Sequence, residues 1–204
     1  LEIRKKLLEV TKQSYREALF AGTSGNISYY DHASGEMFIT PGSLPYETMT
    51  EEDLVRMTLD GEVLEGERKP SSEWRLHAEV YRQKPEISSV IHTHSPYATS
   101  FAVNNQSIPV ILIEMVPFLG GEVEVADFAI PGTVEVGVEA VKKLNGRNAC
   151  LMANHGVLAV GENLDQAHIR AVYTEDAAKI YSLALNNGEV QIIDEKYVNV
   201  MKGK

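Results

Sequence analysis

The sequence predicts an α/β layered domain built on a mixed, partly antiparallel sheet. Three observations carry this: helix-period stretches bracket the chain, short strand-like runs joined by turn residues fill its first third, and helical and strand patterns then alternate to the final long helix. No internal repeat, low-complexity linker or second core is visible, so residues 1–204 are expected to form a single domain.

Ile3, Leu7, Leu8, Tyr15, Ala18 and Leu19 recur every three to four residues and predict a first amphipathic helix ending near Gly22. Asn26–Tyr30 and Glu36–Thr40 read as strands joined by the turn-rich Asp31–Gly35. Asp60-Gly61, between Val55–Leu59 and Glu62–Leu64, is a hairpin signal. Pro70-Ser71-Ser72-Glu73 supplies the hydroxyls and acid of a helix start, with the helix running to about Gln83 before Pro85. Beyond it, Ser88–His94 reads as a strand, Pro96–Val103 as a helix, Ile108–Ile113 as a strand and Thr133–Leu144 as a helix. Cys150–Ala153 and Val157–Val160 are two buried strand pieces flanking Asn154-His155-Gly156, and Leu164–Leu185 is the closing helix.

Composition narrows the function. With 19 Lys+Arg against 29 Asp+Glu, the formal charge of −10 opposes binding to DNA or to an anionic membrane surface. It leaves small phosphates open, because a few backbone N–H groups and hydroxyls suffice to hold one. Cys150 is the only cysteine and lies in the apolar run Ala149-Cys150-Leu151-Met152, which excludes an intrachain disulfide and fits a reducing cytoplasm. No apolar stretch has the length of a secretion signal or a membrane span. The chain starts at Leu1 rather than at a methionine, so a longer native terminus stays open.

Four residues are candidate ligands of one divalent metal. In Ile91-His92-Thr93-His94 the strand period of two places both imidazoles on one face, about 6.5 Å apart along the backbone. His155 interrupts two apolar strand pieces, where a strand-end imidazole can meet those of a neighbouring strand. Glu73 stands in the first turn of a helix, where a carboxylate also serves as a plain cap. Each has an ordinary alternative: a polar strand end, a hydrogen-bonded turn histidine, a capping acid. Jointly, three imidazoles and one carboxylate suit Zn²⁺, with Mn²⁺, Co²⁺ or Fe²⁺ as alternatives. His77, one helical turn after Glu73, is read as a packed, hydrogen-bonded histidine, and His32 and His168 receive no role.

Three segments have the materials of an anion site: Gly22-Thr23-Ser24-Gly25-Asn26, Thr40-Pro41-Gly42-Ser43, and Ser71-Ser72 at a helix start. Each is also an ordinary turn, but Ser71-Ser72 adjoin Glu73, so a phosphate held there would lie beside the metal. The absence of a P-loop, a dinucleotide glycine motif and a serine-hydrolase elbow removes support for nucleotide and acyl-transfer chemistry.

Taken together and in order, Gly22-Thr23-Ser24-Gly25-Asn26-Ile27-Ser28, Ile39-Thr40-Pro41-Gly42-Ser43, Lys69-Pro70-Ser71-Ser72-Glu73, Ile91-His92-Thr93-His94 and Asn154-His155-Gly156 closely resemble the class II aldolase/adducin family. The match spans nearly the whole chain and is nearest to members that cleave L-fuculose 1-phosphate, including the run Pro70-Ser71-Ser72-Glu73-Trp74-Arg75. The resemblance implies a three-layer α/β/α fold with a central mixed, largely antiparallel sheet, and a cyclic homotetramer with active sites at subunit interfaces. It implies zinc on His92, His94 and His155, with Glu73 as a ligand that can swing away to act as a base. It assigns substrate phosphate to Gly25, Asn26, Gly42, Ser43, Ser71 and Ser72, and release of dihydroxyacetone phosphate and an aldehyde such as L-lactaldehyde to the reaction.

One departure bears on the sugar. Members similar to this chain carry an interfacial tyrosine shortly after the Ser-Ile-Pro segment, whereas Ser107-Ile108-Pro109 here leads to Ile113-Glu114. Tyr197 is a possible counterpart of a second, C-terminal family tyrosine. The resemblance therefore leaves room for cleavage of 5-deoxyribulose 1-phosphate, for ribulose-5-phosphate 4-epimerisation and for methylthioribulose-1-phosphate dehydration. The epimerases carry aspartate at the position of Glu73, which favours a lyase. The non-enzymatic alternative is an adducin-head-like interaction module, against which the retained ligand set counts.

Overall fold

The computed structural model describes residues 2–203. The chain runs α1 (Glu2–Arg16), β1 (Asn26–Asp31), β2 (Glu36–Ile39), β3 (Val55–Thr58), β4 (Val63–Glu65), α2 (Trp74–Gln83), β5 (Ser89–Thr93), α3 (Pro96–Val103), β6 (Val125–Ala126), α4 (Val134–Lys143), β7 (Ala149–Met152), β8 (Gly156–Gly161), α5 (Leu164–Asn187) and α6 (Glu195–Met201). A short 3-10 turn at Glu51–Asp53 precedes β3, and a π-helical turn at Met115–Leu119 precedes β6.

The eight strands form one sheet in the order β4-β3-β2-β1-β5-β8-β7-β6. All neighbours are antiparallel except β6 and β7, so the expected mixed, largely antiparallel α/β architecture is the one adopted. Side-chain alternation divides the interior into two layers. Ile27, Ile91, Leu151, Val157 and Ala159 face α1, α3 and α5 on one side. Met37, Ile39, Val90, Cys150, Leu158 and Val160 face α2 and α4 on the other. The central strands β5, β7 and β8 are buried along their whole length, which explains why Ala149–Met152 and Val157–Val160 read as continuous apolar runs rather than alternating ones.

The departures from expectation have local causes. The first helix stops at Arg16, short of Gly22: Ala18 takes a left-handed φ of 59°, and the Leu19 N–H returns to the Ser14 carbonyl, which ends the helical ladder. Ile108–Ile113 is not a strand. Only Ile108 pairs, in an isolated bridge with Val123; Val110, Ile111 and Leu112 then join the apolar core while Ile113 is exposed, before the π-helical turn closes on Gly120. The closing helix runs two residues further than Leu185, and its start is capped by the Asn163 side chain, which accepts the Gln166 N–H at 2.9 Å. β6 and α6 have no counterpart among the predicted elements.

Candidate metal and phosphate site

His92 sits within β5, two residues beyond Val90, and so points to the face that α2 covers. His94 follows directly after β5 and precedes α3, whose first N–H groups, those of Tyr97 and Ala98, are received by the Glu175 carboxylate of α5 at 2.9 and 2.8 Å. That contact anchors the segment carrying His94. His155 lies in the turn between β7 and β8, after Asn154 at a φ of 55°, its N–H bonded to the Met152 carbonyl. Gly156 lets this turn lie against β5: a Cβ there would come within 2.3 Å of the Thr93 carbonyl and 3.1 Å of the His92 ring. Glu73 is the N-cap of α2, but its carboxylate makes no capping bond and turns instead toward the histidines. The expected ligands thus come from a helix start, a strand, a strand end and a hairpin turn.

The potential ligand atoms of Glu73, His92, His94 and His155 all lie within 4.8 Å of one another. Nε2 of His92 is 2.9 Å from Nε2 of His94 and 3.1 Å from Oε2 of Glu73, and Nε2 of His155 is 2.9 Å from Oε1 of Glu73. Tetrahedral bonds of about 2.0–2.1 Å place neighbouring donors about 3.3 Å apart, a spacing this cluster approaches. Two further observations fit a cation. The Nδ1–H of His92 donates to the Val157 carbonyl at 2.9 Å, which leaves Nε2 with its lone pair facing the cluster. Glu73 Oε1 is buried yet receives no well-aligned hydrogen bond, an acceptor that a positive ion would satisfy.

Electrostatics agree with this donor set. Burial raises the Glu73 carboxyl, but His155 and His92 more than offset it, holding the group ionised and well below the usual carboxylate range. Burial, reinforced by His92 and His155, lowers His94 to about 4, so its imidazole is neutral and able to coordinate near neutral pH. The remaining histidines lie elsewhere or behind the cluster. His32 bonds the Ile87 carbonyl, His168 pairs with Glu17 at 2.8 Å, and His77 is completely buried behind Glu73 and bonded to Asn26 and Ser28, as its packed reading anticipated.

The three segments expected to hold phosphate meet beside Glu73. Thr40 ties two of them together: its hydroxyl accepts the Ile27 N–H at 3.2 Å, and its carbonyl accepts the Ser71 N–H at 3.1 Å. Pro41 bridges Pro70, and the Gly42 N–H reaches the Lys69 carbonyl. Gly25, at a φ of 83°, packs so closely that a Cβ would lie 2.5 Å from the Phe20 ring and 2.8 Å from the His92 carbonyl. The Tyr46 hydroxyl reaches the Gly25 carbonyl at 2.7 Å and holds that loop from below. Gly42, Ser43 and Ser72 are exposed, Gly25 is half-buried, and Ser71 is buried with its hydroxyl accepting the Glu73 N–H at 3.3 Å. Asn26 stands apart from this group: its side chain is buried and its amide lies between Glu73 and His77. The linkage of these polar groups to Glu73 escaped sequence reading, although Glu73, His77 and Tyr81 at four-residue spacing and Asn26 and Ser28 at two-residue spacing were the available signal.

Comparison with known proteins agrees with this geometry. Residues 5–182 match the family described as Class II Aldolase and Adducin N-terminal domain. The chain is 36% identical over 192 residues to a 5-deoxy-D-ribulose 1-phosphate aldolase from Bacillus thuringiensis serovar kurstaki, covering 94% of this chain and 90% of that one. It is 32% identical over 205 residues to the L-fuculose phosphate aldolase of Escherichia coli K12, covering 98% and 93%. A solved L-fuculose 1-phosphate aldolase superposes with a TM-score of 0.93 at 38% identity, covering 98% of this chain and 94% of that one. The chain therefore belongs to the class II aldolase and adducin family and is an enzyme of its metal-dependent aldehyde-lyase type.

Proposed function

We propose that this chain, acting as a single catalytic domain, cleaves a deoxyketose 1-phosphate to dihydroxyacetone phosphate and a small methyl-terminated aldehyde. L-fuculose 1-phosphate, releasing L-lactaldehyde, is the first substrate. The observation that carries the reading is the convergence of Glu73, His92, His94 and His155 beside three loops rich in backbone N–H groups and hydroxyls. His92, His94, His155 and Glu73 would hold a divalent cation, Zn²⁺ in the first instance. When bound, that ion supplies Lewis-acid stabilisation of the negative charge developing on the substrate oxygens.

The rest of the chemistry falls to the chain. Gly25, Asn26, Gly42, Ser43, Ser71 and Ser72 are the proposed phosphate residues. The exposed Gly42, Ser43 and Ser72 are the most accessible of them, while the buried Asn26 amide faces Glu73. Anchoring the phosphate there fixes the sugar carbons beside Glu73, which removes most of the orientational cost of the reaction. Breaking the bond between C3 and C4 leaves the electron pair on C3 of the dihydroxyacetone phosphate half while the C4 hydroxyl gives up its proton and becomes the aldehyde carbonyl; Glu73, once it has accepted a proton, delivers it to C3, and in condensation it removes that C3 proton. His155 and His92 keep the resting Glu73 ionised, so in this arrangement it is set to accept a proton rather than donate one.

Cleavage of 5-deoxyribulose 1-phosphate is the second reading. Two observations favour it: the similarity to an aldolase named for that sugar, and Ile113-Glu114 where the resemblance expects a tyrosine. A homotetramer with interfacial sites is part of the proposal. Its support is the exposed apolar set Ile113, Phe128, Ile130, Ile192 and Val200, together with the partial exposure of His94 and His155. The acidic balance and the lone buried thiol support a cytoplasmic enzyme without nucleic-acid or membrane partners, and none of the described helices is long and apolar enough to cross a membrane.

The test is release of dihydroxyacetone phosphate from each of the two sugars by Zn²⁺-loaded protein, with a chelator-treated control. Chelator-sensitive release from either establishes the aldolase and their ratio assigns the sugar. No release from either by metal-replete protein overturns the proposal.

A further inference from the structure

The layer between α2 and the sheet is apolar except for one line of side chains. Glu73, His77 and Tyr81 recur every four residues and form a stripe along one face of α2. Asn26 and Ser28 are two apart on β1 and share the face opposite that stripe. The two polar stripes meet in a chain of contacts. Asn26 Nδ2 lies 3.1 Å from Glu73 Oε2, and Asn26 Oδ1 bonds His77 Nε2. His77 Nδ1 lies 2.6 Å from Ser28 Oγ, which lies 2.6 Å from the Tyr81 hydroxyl. His77 and Ser28 are fully buried and Asn26 and Tyr81 are 3% exposed, so water does not compete for these contacts.

The direction of every bond follows from one end. A carboxylate only accepts, so Asn26 presents its NH₂ to Glu73 and its oxygen to His77. His77 therefore carries its proton on Nε2, and its bare Nδ1 accepts the Ser28 hydroxyl proton. Ser28 in turn accepts from Tyr81, whose ring is held by stacking on Tyr30 at 5.1 Å. All four bonds point the same way and end on Glu73 Oε2. Bonds aligned head to tail polarise one another, which strengthens the last of them.

We propose that Asn26, His77, Ser28 and Tyr81 are positioning residues that hold the Glu73 carboxylate in its place among the histidines through a one-way chain of hydrogen bonds. The proposal rests on the reading of Glu73 as a metal-site residue and does not depend on which sugar is cleaved. Apolar side chains of similar volume would fill this layer without the desolvation that polar groups incur, so stability alone gives no reason for the chain. Orienting a ligand does, because a carboxylate with one oxygen held from behind keeps the other directed at the histidines in the resting site.

The test is the Co²⁺ affinity of the full-length, metal-stripped protein, followed by visible absorption, for wild type, His77→Leu, His77→Gln and Tyr81→Phe. His77→Leu should weaken Co²⁺ binding about 10–100-fold. His77→Gln places an amide donor where Nε2 stood and should restore most of that loss. Tyr81→Phe keeps the stacked ring, removes only the first donor of the chain, and should weaken binding about two- to fivefold. Folded His77→Leu with wild-type affinity would overturn the proposal, as would equal weakening by Leu and Gln, which would mean that packing and not the donor matters. Should His77→Leu fail to fold, wild-type affinity in Tyr81→Phe overturns it. Wild-type protein that binds Co²⁺ but cleaves neither sugar removes the aldolase reading and leaves these affinities to decide this one.

Discussion

The candidate ligand cluster and the loops proposed for phosphate lie side by side but are built differently. The cluster consists of side chains fixed from behind: His92 by the Val157 carbonyl, Glu73 by Asn26, and the His94 segment by the Glu175 cap on α3. The loops consist mainly of backbone, positioned by Thr40 and Tyr46 and by the close approach of Gly25 to Phe20. The difference suits the ligand proposed for each. A small cation needs a few lone pairs at short, fixed distances, whereas a phosphate accepts several N–H and O–H groups over a wider surface. Losing one side chain should therefore be severe in the cluster and partial in the loops.

The largest effect expected is that of His92→Ala, which should lose metal and activity together, because it removes a candidate ligand together with its contacts to the Val157 carbonyl and Glu73 Oε2. Metal analysis alongside the aldolase assay checks this, and metal-free but active protein would break the comparison. Glu73→Gln keeps the three imidazoles and should retain much of the metal while turnover falls about 10²–10⁴-fold, the usual worth of a general base. Wild-type rates would remove Glu73 from the chemistry. Ser72→Ala removes one exposed hydroxyl from a many-donor site and should raise KM about tenfold with kcat nearly unchanged, the loss of one hydrogen bond to a charged group. A fall in kcat with constant KM would place Ser72 in the cluster's class instead.

The smallest effect concerns stability. Burial, with a contribution from His92, lowers His77 from its ordinary 6.5 to about 3, so between those values the unfolded chain binds a proton that the folded chain refuses. Stability of metal-free protein should be full above about pH 6.5 and fall as the pH drops from there toward 3. His77→Gln should flatten this dependence by up to about 1.4 kcal/mol per pH unit. Denaturant midpoints between pH 6 and 5 isolate the histidines, since Glu73, which acts in the same direction, contributes only below its ordinary 4.5. An unchanged slope in the variant would mean that His77 is protonated in the fold.

How much of this was legible in the sequence depended on how local the signal was. Ile91-His92-Thr93-His94 displays its geometry directly, because a strand period of two needs no tertiary information. The Asp60-Gly61 hairpin was equally readable. Ile108–Ile113 misled because a β-branched apolar run looks the same whether it pairs in a sheet or packs as an irregular segment under a helix, and only Ile108 finds a strand-like partner. Two-residue β6 pairs only because β7 lies beside it, and α6 is short and mostly exposed. For the site, residue types and spacing named the four candidate ligands that the fold brings together, but the orientation of Glu73 was hidden: a helix-start acid reads as a cap, and only the fold turns it away from the helix toward the histidines. The resemblance assigns Asn26 to phosphate; that its amide lies between Glu73 and His77 became visible only in the fold.

The most direct test of the central claim is the metal content of purified wild-type protein after reconstitution with Zn²⁺ and removal of excess. One ion per chain, abolished in His92→Ala, is the result that the convergence of Glu73, His92, His94 and His155 predicts. A reconstituted, folded wild-type protein holding no stoichiometric metal would contradict the account and leave the four side chains as a buried hydrogen-bonded cluster.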